Sequence, residues 1–512
     1  MHLNNRVENN HKQLECFFCY LCMELFNRIY MNTMTMNRCW FFFYFVSIFL
    51  ASCEREPLLL SNNNILQSFS FNTENAGIPT SMRGYISSSF APDNRQIRPL
   101  VLVSVPQNCN LAALIPTFSI HEKATLYINE VAYTSGKTNA DFSKMTTIKV
   151  VAQSGAEALY DIIVKHGEPT IDEMVYSFMA TYSIPGVAVS VCNRNGMLYS
   201  SGYGFADVEN KIKVTPNHLF RLASISKQFT TICLMKLYEE GKIDLDRNVF
   251  GTGGYLDDEF PGVTGAKATV TLRHFLQHNS GWRSDPLDPM FDSPIKTLPL
   301  EGMIRYMLND CNLMSTPGSV FSYYNLGFGV IGRVIEKIAD KGFEVYLKEI
   351  LALAGISDIH VGKDLTGKRP NECVYYSQNG YNGYGNNMSA IAAAGGIIAS
   401  TEEMMKLIVK IDGKGDDDIL KKETITMMYT PSPNNDRYAL GWRIGHRLYP
   451  GAHYHAGNLA GTTTIWCGDT DSGISAAILM NSRNYNITNS NGNFDDNYYV
   501  LLGNIVAYYS GR

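Results

Sequence analysis

An apolar helix that begins with a serine and a lysine constrains this chain more than any other segment. Apolar residues recur at helical spacing over residues 232–237, and the pattern ends at Gly241. Ser224 and Lys227 lie just before this run, so both are predicted to lie near the start of the helix. Positions i and i+3 share one face of a helix, which brings the lysine amine within reach of the serine hydroxyl. A hydroxyl beside a base is the arrangement of an activated serine nucleophile.

Lys227 can act as that base only if its amine is uncharged. Lowering the pKa of a lysine from about 10.4 to near 7 requires roughly 4 to 5 kcal/mol of bias against the ammonium form. The helix dipole supplies only about 0.3 to 1 kcal/mol of this bias. We therefore expect Lys227 to be buried, beside donors or charges that disfavour a second positive group.

The S-x-x-K pattern is short enough to occur by chance, and the chain contains a second copy. Ser293 and Lys296 have the same spacing, but they lie in a stretch rich in Asp and Pro from Asp285 to Leu298. No apolar helix follows this copy, so we assign it no function.

A Tyr-x-Asn pair follows the Pro317-Gly318 turn and precedes a helix predicted from about Gly329 to Ile338. Tyr323 and Asn325 are predicted to lie in a loop, with both side chains turned into a cleft. A phenol there can relay a proton, and an amide can hold both the lysine amine and a substrate carbonyl. Taken alone, the pair is more typical of an ordinary capped turn.

A His-x-Gly pair, His455 and Gly457, precedes two predicted strands, Thr462 to Cys467 and Gly473 to Met480, joined by a tight turn. A glycine in a strand lets a ligand approach the backbone closely. A lone histidine is more often a structural hydrogen-bonding residue than a catalytic one.

The order and spacing of S-x-x-K, Y-x-N and H-x-G resemble the serine hydrolases that include class C β-lactamases, D-alanyl-D-alanine carboxypeptidases and β-lactamase-like esterases. The resemblance covers about residues 168–512 and implies a mixed α/β fold. That fold is a β-lactamase/DD-peptidase-like antiparallel sheet flanked by helices, with a helical subdomain from about Leu222 to Lys363. The active site would lie between this subdomain and the strand after His455. Three further stretches fit the resemblance: residues 272–281, 395–401 and 438–442.

The resemblance also implies a role for each motif residue. Ser224 would form the acyl-enzyme with Lys227 as its base partner, and Tyr323 would shuttle protons to the leaving group and from the deacylating water. Asn325 would contact Lys227 and the substrate. The backbone N–H groups of Ser224 and Asn458 would form the oxyanion hole. No metal or organic cofactor is implied.

The third motif departs from that of the β-lactamases, which carry Lys-Thr-Gly with a fixed positive charge. His455 is expected to be a weaker, pH-dependent cation, and Ala456 lacks the hydroxyl. Tyr324 stands where a small residue is usual. The sequence therefore favours a broad serine hydrolase that acts on an ester or a peptide, with D-amino-acid peptides and β-lactams as candidate substrates. A non-hydrolytic penicillin- or peptidoglycan-binding receptor, and a pure adhesion module, are the alternatives.

The N-terminal part of the chain has the features of a targeting segment. Residues 36–53 combine a charged start with an apolar run too short to span a bilayer. They end in Leu-Ala-Ser-Cys, which resembles a bacterial lipobox, so Cys53 is a predicted lipidation site and membrane contact is predicted through the lipid. The predicted location is the bacterial cell envelope, although a plain signal peptide or an apolar core segment has similar features. Residues 1–35 are interpreted as an upstream extension. Cys16, Cys19 and Cys22 lie within it and are expected to belong to a stretch that is absent from the mature protein.

Between the predicted anchor and the hydrolase, residues 66–165 carry short β-rich segments about ten residues apart, which predicts a β-sandwich. This region resembles the immunoglobulin-like modules of bacterial surface lipoproteins, and a spacer role is favoured over glycan binding. Residues 166–169 form a short linker. The formal net charge of −5 with no basic run argues against nucleic acid as a partner. The cysteines after Cys53 are predicted to be mostly buried free thiols.

Overall fold

The computed structural model describes residues 60–79, 81–86, 99–167, 170–284, 288–291, 294–377, 382–445, 451–469, 471–483, 488–489 and 492–510. The chain divides into two compact units, residues 1–62 and 63–512, and the fold below belongs to the second. The predicted extension at 1–35, the segment 36–53 with Cys53, and Ser293 of the second S-x-x-K lie outside the described residues.

Strands and turns make up the region before the predicted hydrolase. Its strands form one sheet in the order β2-β1-β5 and another in the order β3-β4-β9-β8-β6-β7, and side chains from both sheets share one apolar core. Strand β8 alternates buried and half-buried residues, as expected when one face of a sheet is covered. The predicted strands are confirmed, and the assignment to an immunoglobulin-like spacer stays a prediction. The strands are β1 (Ser68–Phe71), β2 (Met82–Arg83), β3 (Tyr85–Ile86), β4 (Leu100–Val105), β5 (Pro116–Ser119), β6 (Thr125–Ile128), β7 (Val131–Tyr133), β8 (Thr146–Val151) and β9 (Glu157–His166).

A seven-stranded sheet in the order β12-β11-β10-β20-β19-β18-β17 forms the centre of the following region. Every neighbouring pair in it is antiparallel. Strand β20 is buried along its whole length, and β10 is buried at every residue but its last, because helices cover both faces of the sheet. The strands are β10 (Gly186–Asn193), β11 (Gly196–Asp207), β12 (Ile212–Lys213), β17 (Arg443–Ile444), β18 (Ala452–Leu459), β19 (Thr462–Asp469) and β20 (Ser475–Met480).

One face of this sheet packs against the first and last helices of the region, α1 (Ile171–Tyr182) and α9 (Phe494–Ser510), in a single apolar cluster. Helix α1 begins with a capping box in which Thr170 and Glu173 satisfy each other's backbone N–H groups. The Glu173 carboxylate also accepts hydrogen bonds from Ser104 on β4 and pairs with Lys165 on β9. This contact joins the N-terminal sheets to the region of the seven-stranded sheet.

The other face of the sheet carries the larger core, which includes most of the remaining helices. Five helices fall within the predicted subdomain from Leu222 to Lys363, and a π-helical turn at Ala392–Gly396 follows it. A small sheet in the order β13-β16-β14 lies beside the subdomain. The helices are α2 (Ser226–Glu239), α3 (Leu272–Leu276), α4 (Leu300–Asp310), α5 (Asn325–Ala339), α6 (Phe343–Ala352), α7 (Thr401–Ile408) and α8 (Lys422–Tyr429); the short strands are β13 (Phe220–Arg221), β14 (His360–Val361), β15 (Tyr376–Ser377), β16 (Ile397–Ala399), β21 (Ser482–Arg483), β22 (Thr488–Asn489) and β23 (Gly492–Asn493).

The cysteines of the described part of the chain are free, and all but the half-buried Cys311 are buried, which confirms the prediction from their spacing. Within that same part, none of the helices has the length and hydropathy needed to cross a bilayer.

Candidate active site

Ser224 lies in a 3-10 turn, Ala223–Ile225, that leads directly into helix α2, as the sequence predicts. Ala223 adopts a left-handed backbone conformation with φ of 49°, which costs a residue with a side chain of the order of 1 kcal/mol. Two hydrogen bonds hold this turn. The N–H of Leu222 donates to the Ile397 carbonyl at 2.8 Å, and the Leu222 carbonyl accepts from the Thr464 hydroxyl at 2.8 Å. The nucleophile turn is therefore fixed between the small sheet and strand β19.

The amine of Lys227 lies 3.1 Å from the Ser224 hydroxyl oxygen, which confirms the proximity predicted from the spacing. It also donates to the Asn325 side-chain oxygen and to the Ala394 backbone carbonyl, both at 2.8 Å. Lys227 is fully buried. Burial lowers its pKa to about 7, Arg443 lowers it further, and the negative charge of Asp288 opposes both. Near neutral pH, a large fraction of this amine is therefore uncharged.

The ring of Tyr323 lies beneath the same amine, with its centroid 5.0 Å from the Lys227 nitrogen. Burial raises the pKa of Tyr323 above its usual value, and the nearby Ser224 hydroxyl lowers it in part, although the two hydroxyls do not form a hydrogen bond of normal geometry. Tyr323 is thus a neutral phenol beside the base. This is the protonation state that a proton donor requires.

Asn325 differs from its predicted setting, because it is the first residue of helix α5 and does not lie in the loop. The prediction started the helix at Gly329, where the apolar spacing becomes clear, but buried residues continue back to Leu326. The helix start fixes the Asn325 side chain against Lys227. The adjacent Tyr324 turns into the core and stacks on Trp282, which explains the large residue at a position where small ones are usual.

Three residues that contact or influence Lys227 were missed by the sequence analysis. Ala394 contributes only a backbone carbonyl, and its signal is the Gly395-Gly396 stretch beside it. Asp288 accepts a hydrogen bond of 2.7 Å from the Asn325 amide but lies in the Asp- and Pro-rich stretch that was set aside. Arg443, on edge strand β17, directly follows the recognised stretch 438–442.

His455 takes part in a buried chain of hydrogen bonds that has only one proton arrangement. The N–H of Tyr324 must donate to Nδ1 of His278 (3.1 Å), so the other ring nitrogen of His278 carries the proton and donates to the Tyr438 hydroxyl (3.1 Å). Nδ1 of His455 donates to the Ala456 carbonyl (2.6 Å), so its Nε2 accepts from the Tyr438 hydroxyl (3.3 Å). Both histidines are neutral in this arrangement.

The expectation that His455 is a pH-dependent cation is therefore wrong. Only 1% of His455 is exposed, and burial lowers its pKa well below the usual value, with the charges of Arg443 and Lys227 acting in the same direction. The residue type suggested a cation, but burial decides the charge. Its structural effect is to tie strand β18, through Tyr438 and His278, to the loop that carries Tyr323.

Gly457 and Asn458 lie on β18 with opposite orientations, as successive strand residues must. Gly457 faces the nucleophile turn, and a Cβ atom there would overlap the Leu222 carbonyl and the Thr464 hydroxyl. Only glycine allows this close approach. The Asn458 side chain points to the opposite face, towards the Tyr498 hydroxyl on α9 (3.4 Å), so only its backbone can face the site. The oxyanion hole formed by Ser224 and Asn458 stays a prediction.

Comparisons with known proteins agree with this geometry. The profile of the Beta-lactamase family matches residues 171–493, which is more than half of the chain. The chain belongs to the β-lactamase family. The matched span includes all three motifs, and the predicted mixed α/β fold is confirmed. This is the superfamily of the β-lactamase-like serine hydrolases.

Individual relatives of this β-lactamase-family chain are distant. Protein flp of Staphylococcus aureus strain N315 is 25% identical over 177 residues, which cover 35% of this chain and 34% of flp. The chain therefore matches about a third of the length of flp. Human mitochondrial serine β-lactamase-like protein LACTB is 24% identical over 389 residues, covering 55% of this chain and 68% of LACTB.

Among solved structures, the octameric penicillin-binding protein homologue from Pyrococcus abyssi superposes with a TM-score of 0.56 at 24% identity, over 67% of this chain and 77% of that one. This likeness shows the fold.

Proposed function

We propose that this protein cleaves an ester or amide bond through an acyl-enzyme formed on Ser224, with Lys227 as the base. The observation that carries this proposal is a fully buried amine 3.1 Å from the serine hydroxyl, with a pKa of about 7. A lysine with an ordinary pKa of about 10.4 would be protonated in almost every molecule at neutral pH and could not accept the proton. Burial removes that obstacle.

In acylation, the uncharged Lys227 amine takes the hydroxyl proton as the Ser224 oxygen attacks the substrate carbonyl carbon. The carbonyl oxygen becomes negative, and we propose that the backbone N–H groups of Ser224 and Asn458 stabilise it. The bond to the leaving group then breaks, and the proton passes from Lys227 through the Tyr323 phenol to the leaving alcohol or amine. Asn325 holds Lys227 during this transfer.

Deacylation uses the same groups in the reverse sense. The uncharged Lys227 amine accepts a proton from a water molecule as the water oxygen attacks the acyl carbon, and the Tyr323 phenol relays that proton by receiving one as it gives up its own. The bond between the acyl carbon and the Ser224 oxygen then breaks, and Lys227 returns the proton to that oxygen. Tyr323 is neutral before and after each transfer, so neither step requires a charged tyrosine. The net reaction consumes one water and releases an acid together with an alcohol or an amine.

Arg443 favours a substrate that carries a negative charge. It is partly buried, and its charge lowers the pKa values of Lys227, His455 and Tyr323, so its positive potential reaches the reacting groups. In the described part of the chain, no carboxylate forms an ion pair with it. We propose that Arg443 supplies the fixed positive charge that the neutral His455 cannot. A D-amino-acid peptide or a β-lactam has a carboxylate suited to this position.

Replacing Arg443 by glutamine is expected to lower kcat/KM for a carboxylate-bearing p-nitrophenyl ester by about 10- to 100-fold, because a hydrogen bond to a charged group contributes about 1.5 to 3 kcal/mol. The neutral p-nitrophenyl acetate should change by less than about threefold. Both rates are measured at pH 9, where Lys227 is uncharged in both variants. Arg437→Gln, an exposed arginine on the same segment, is the control. Equal losses on the two esters would contradict the proposal.

A non-hydrolytic penicillin- or peptidoglycan-binding receptor would have the same fold and the same nucleophile. The two proposals differ in deacylation, which depends on exact positioning of Tyr323 and a water. A panel of short esters, D-amino-acid peptides and nitrocefin, with product and covalent adduct both quantified, separates them. Multiple turnovers support the hydrolase. One adduct per protein molecule with no accumulating product supports the receptor.

We further propose, from the sequence alone, that the protein is anchored in the bacterial cell envelope through a lipid on Cys53, with residues 66–165 as the spacer. In a bacterial host, an alkyne-palmitate label should enter the full chain and should be lost from Cys53→Ser. Equal labelling of both proteins would refute the anchor. This test is independent of the hydrolase activity.

A further inference from the structure

We propose that Asp288 is a positioning residue that fixes the Asn325 amide, so that the unshared electron pair of the Lys227 amine faces the Ser224 hydroxyl. This inference rests on the proposed role of Lys227 as the base. It goes beyond that role because it identifies the residue that orients the electron pair of the Lys227 amine.

Asp288 is buried, with 5% of its surface exposed, and three of its hydrogen bonds fix its orientation. Its Oδ2 accepts from the Asn325 amide at 2.7 Å and from the Ser284 hydroxyl at 2.9 Å. Its Oδ1 accepts from the backbone N–H of Met290 at 3.1 Å. A carboxylate only accepts hydrogen bonds. The Asn325 amide must therefore turn its NH₂ group towards Asp288 and its oxygen towards Lys227.

The orientation of Asn325 decides where the Lys227 amine can act. An uncharged amine has two hydrogens and one electron pair. The Asn325 oxygen and the Ala394 carbonyl, each 2.8 Å away, are acceptors and take the two hydrogens. The remaining direction of contact leads to the Ser224 oxygen at 3.1 Å, so the electron pair faces the proton that must be removed. A flipped Asn325 would offer an NH₂ group instead, and the electron pair would turn away from Ser224.

Asp288 also acts on Lys227 through its charge. Asp288 favours the ammonium form of Lys227, whereas Arg443 disfavours it. The two histidines and Tyr323 are neutral, because burial lowers the pKa of each histidine and raises that of Tyr323. Removing the charge of Asp288 should therefore lower the pKa of Lys227. Among the described residues, the titratable and charged groups that interact with Lys227 are Asp288, Arg443, His278 and His455 through their charges and Tyr323 through its ring.

Asp288→Asn tests the inference in the full chain. An asparagine keeps the shape but cannot accept with both of its terminal atoms, so its NH₂ group must oppose either the Met290 N–H or the Asn325 amide. We expect the plateau of kcat/KM for p-nitrophenyl acetate to fall at least about tenfold, while the acid limb of the pH profile moves about one unit to lower pH. A lower plateau together with a shifted limb is the signature of a positioning residue.

Glu173→Gln is the matched control. Glu173 is also a buried carboxylate with several hydrogen bonds, but it lies at the start of helix α1, away from Lys227. This variant is expected to be less stable than the wild type. Its pH profile of kcat/KM, corrected for the fraction of folded protein, should have the same plateau and the same acid limb as that of the wild type. An Asp288→Asn profile that shows the wild-type limb, or the wild-type plateau, would overturn the inference.

A second readout does not depend on turnover. In protein labelled with ¹³C at the lysine Cε atoms, the Lys227 signal is identified by its loss in Lys227→Met, and its titration midpoint should be lower in Asp288→Asn by about one pH unit. If the midpoint shifts but the wild type acylates no ester or fluorophosphonate, the proposed function fails and the effect of Asp288 on Lys227 stands. If the midpoint does not shift, the inference fails even in an active enzyme.

Discussion

Ser224→Ala is expected to abolish covalent labelling by a fluorophosphonate and to reduce ester hydrolysis by about 10⁴-fold or more. The methyl group has no oxygen to attack a carbonyl carbon, and the other groups around Lys227 cannot replace it. The Tyr323 ring lies beside Lys227, but burial raises the pKa of its phenol and leaves it a weak nucleophile. Labelling followed by intact-protein mass spectrometry measures the first loss, and release of p-nitrophenol measures the second.

The control for this experiment is Ser293→Ala, which removes the serine of the second S-x-x-K copy. It should label and hydrolyse like the wild type. A labelled Ser224→Ala protein, or an unlabelled Ser293→Ala protein, would show that the acyl group is attached elsewhere. A Ser224→Ala protein that is unfolded by circular dichroism gives the same loss for a trivial reason, so the folded fraction is measured first.

Lys227→Met is expected to remove at least about three orders of magnitude of activity and to remove the pH dependence of stability that this lysine imposes on the folded state. The folded state lowers the pKa of this lysine from 10.5 to about 7. That difference of about 3.5 units corresponds to a cost of about 5 kcal/mol to folding at and below pH 7. Methionine fills similar space without a charge. It leaves the Asn325 oxygen and the Ala394 carbonyl without a donor, and each unpaired acceptor lowers the stability of the variant by about 1 to 3 kcal/mol.

The pH dependence of this effect has a definite sign. Between pH 7 and 10.5 the unfolded chain binds a proton at Lys227 that the folded chain has lost, so wild-type stability rises with pH by about 1.4 kcal/mol per unit relative to the variant. The gain from removing this charge is therefore complete below pH 7 and is lost towards pH 10.5, where only the cost of the two unpaired carbonyls remains. Urea unfolding at pH 6, 7, 8 and 9 measures it. Lys242→Met, at an exposed lysine, should show no such slope. A difference independent of pH would mean that the folded state does not lower the pKa of Lys227.

Motifs with short spacings were predicted well because local geometry determines where their side chains lie. Ser224 and Lys227 share the first turn of a helix, and Tyr323 and Asn325 are separated by a single residue. Only the position of these two short segments relative to each other therefore depends on the rest of the fold. The alternation along β18 likewise separates Gly457 from Asn458. The antiparallel sheet and the helical subdomain were predicted from the resemblance to the serine hydrolases that these motifs indicate.

Residues that act through distant contacts were not predictable from spacing. Ala394 contributes a carbonyl that every residue has, and it reaches Lys227 only because the π-helical turn packs on helix α2. Asp288 lies in a stretch whose composition is typical of a loop. His455 shows the converse error: its identity and position were correct, but its charge depends on burial and on Arg443, neither of which is visible in the motif.

The pairing of β10 with β20 has a consequence for how this protein is synthesised. Strand β10 is among the first strands of the hydrolase region to leave the ribosome, and β20, which hydrogen-bonds along its edge from Val187 to Cys192, is among the last. Until then, a strand rich in buried apolar residues has an open edge that could pair with another chain. The nascent polypeptide must therefore remain protected from aggregation through most of translation, and shortened products should accumulate as insoluble protein.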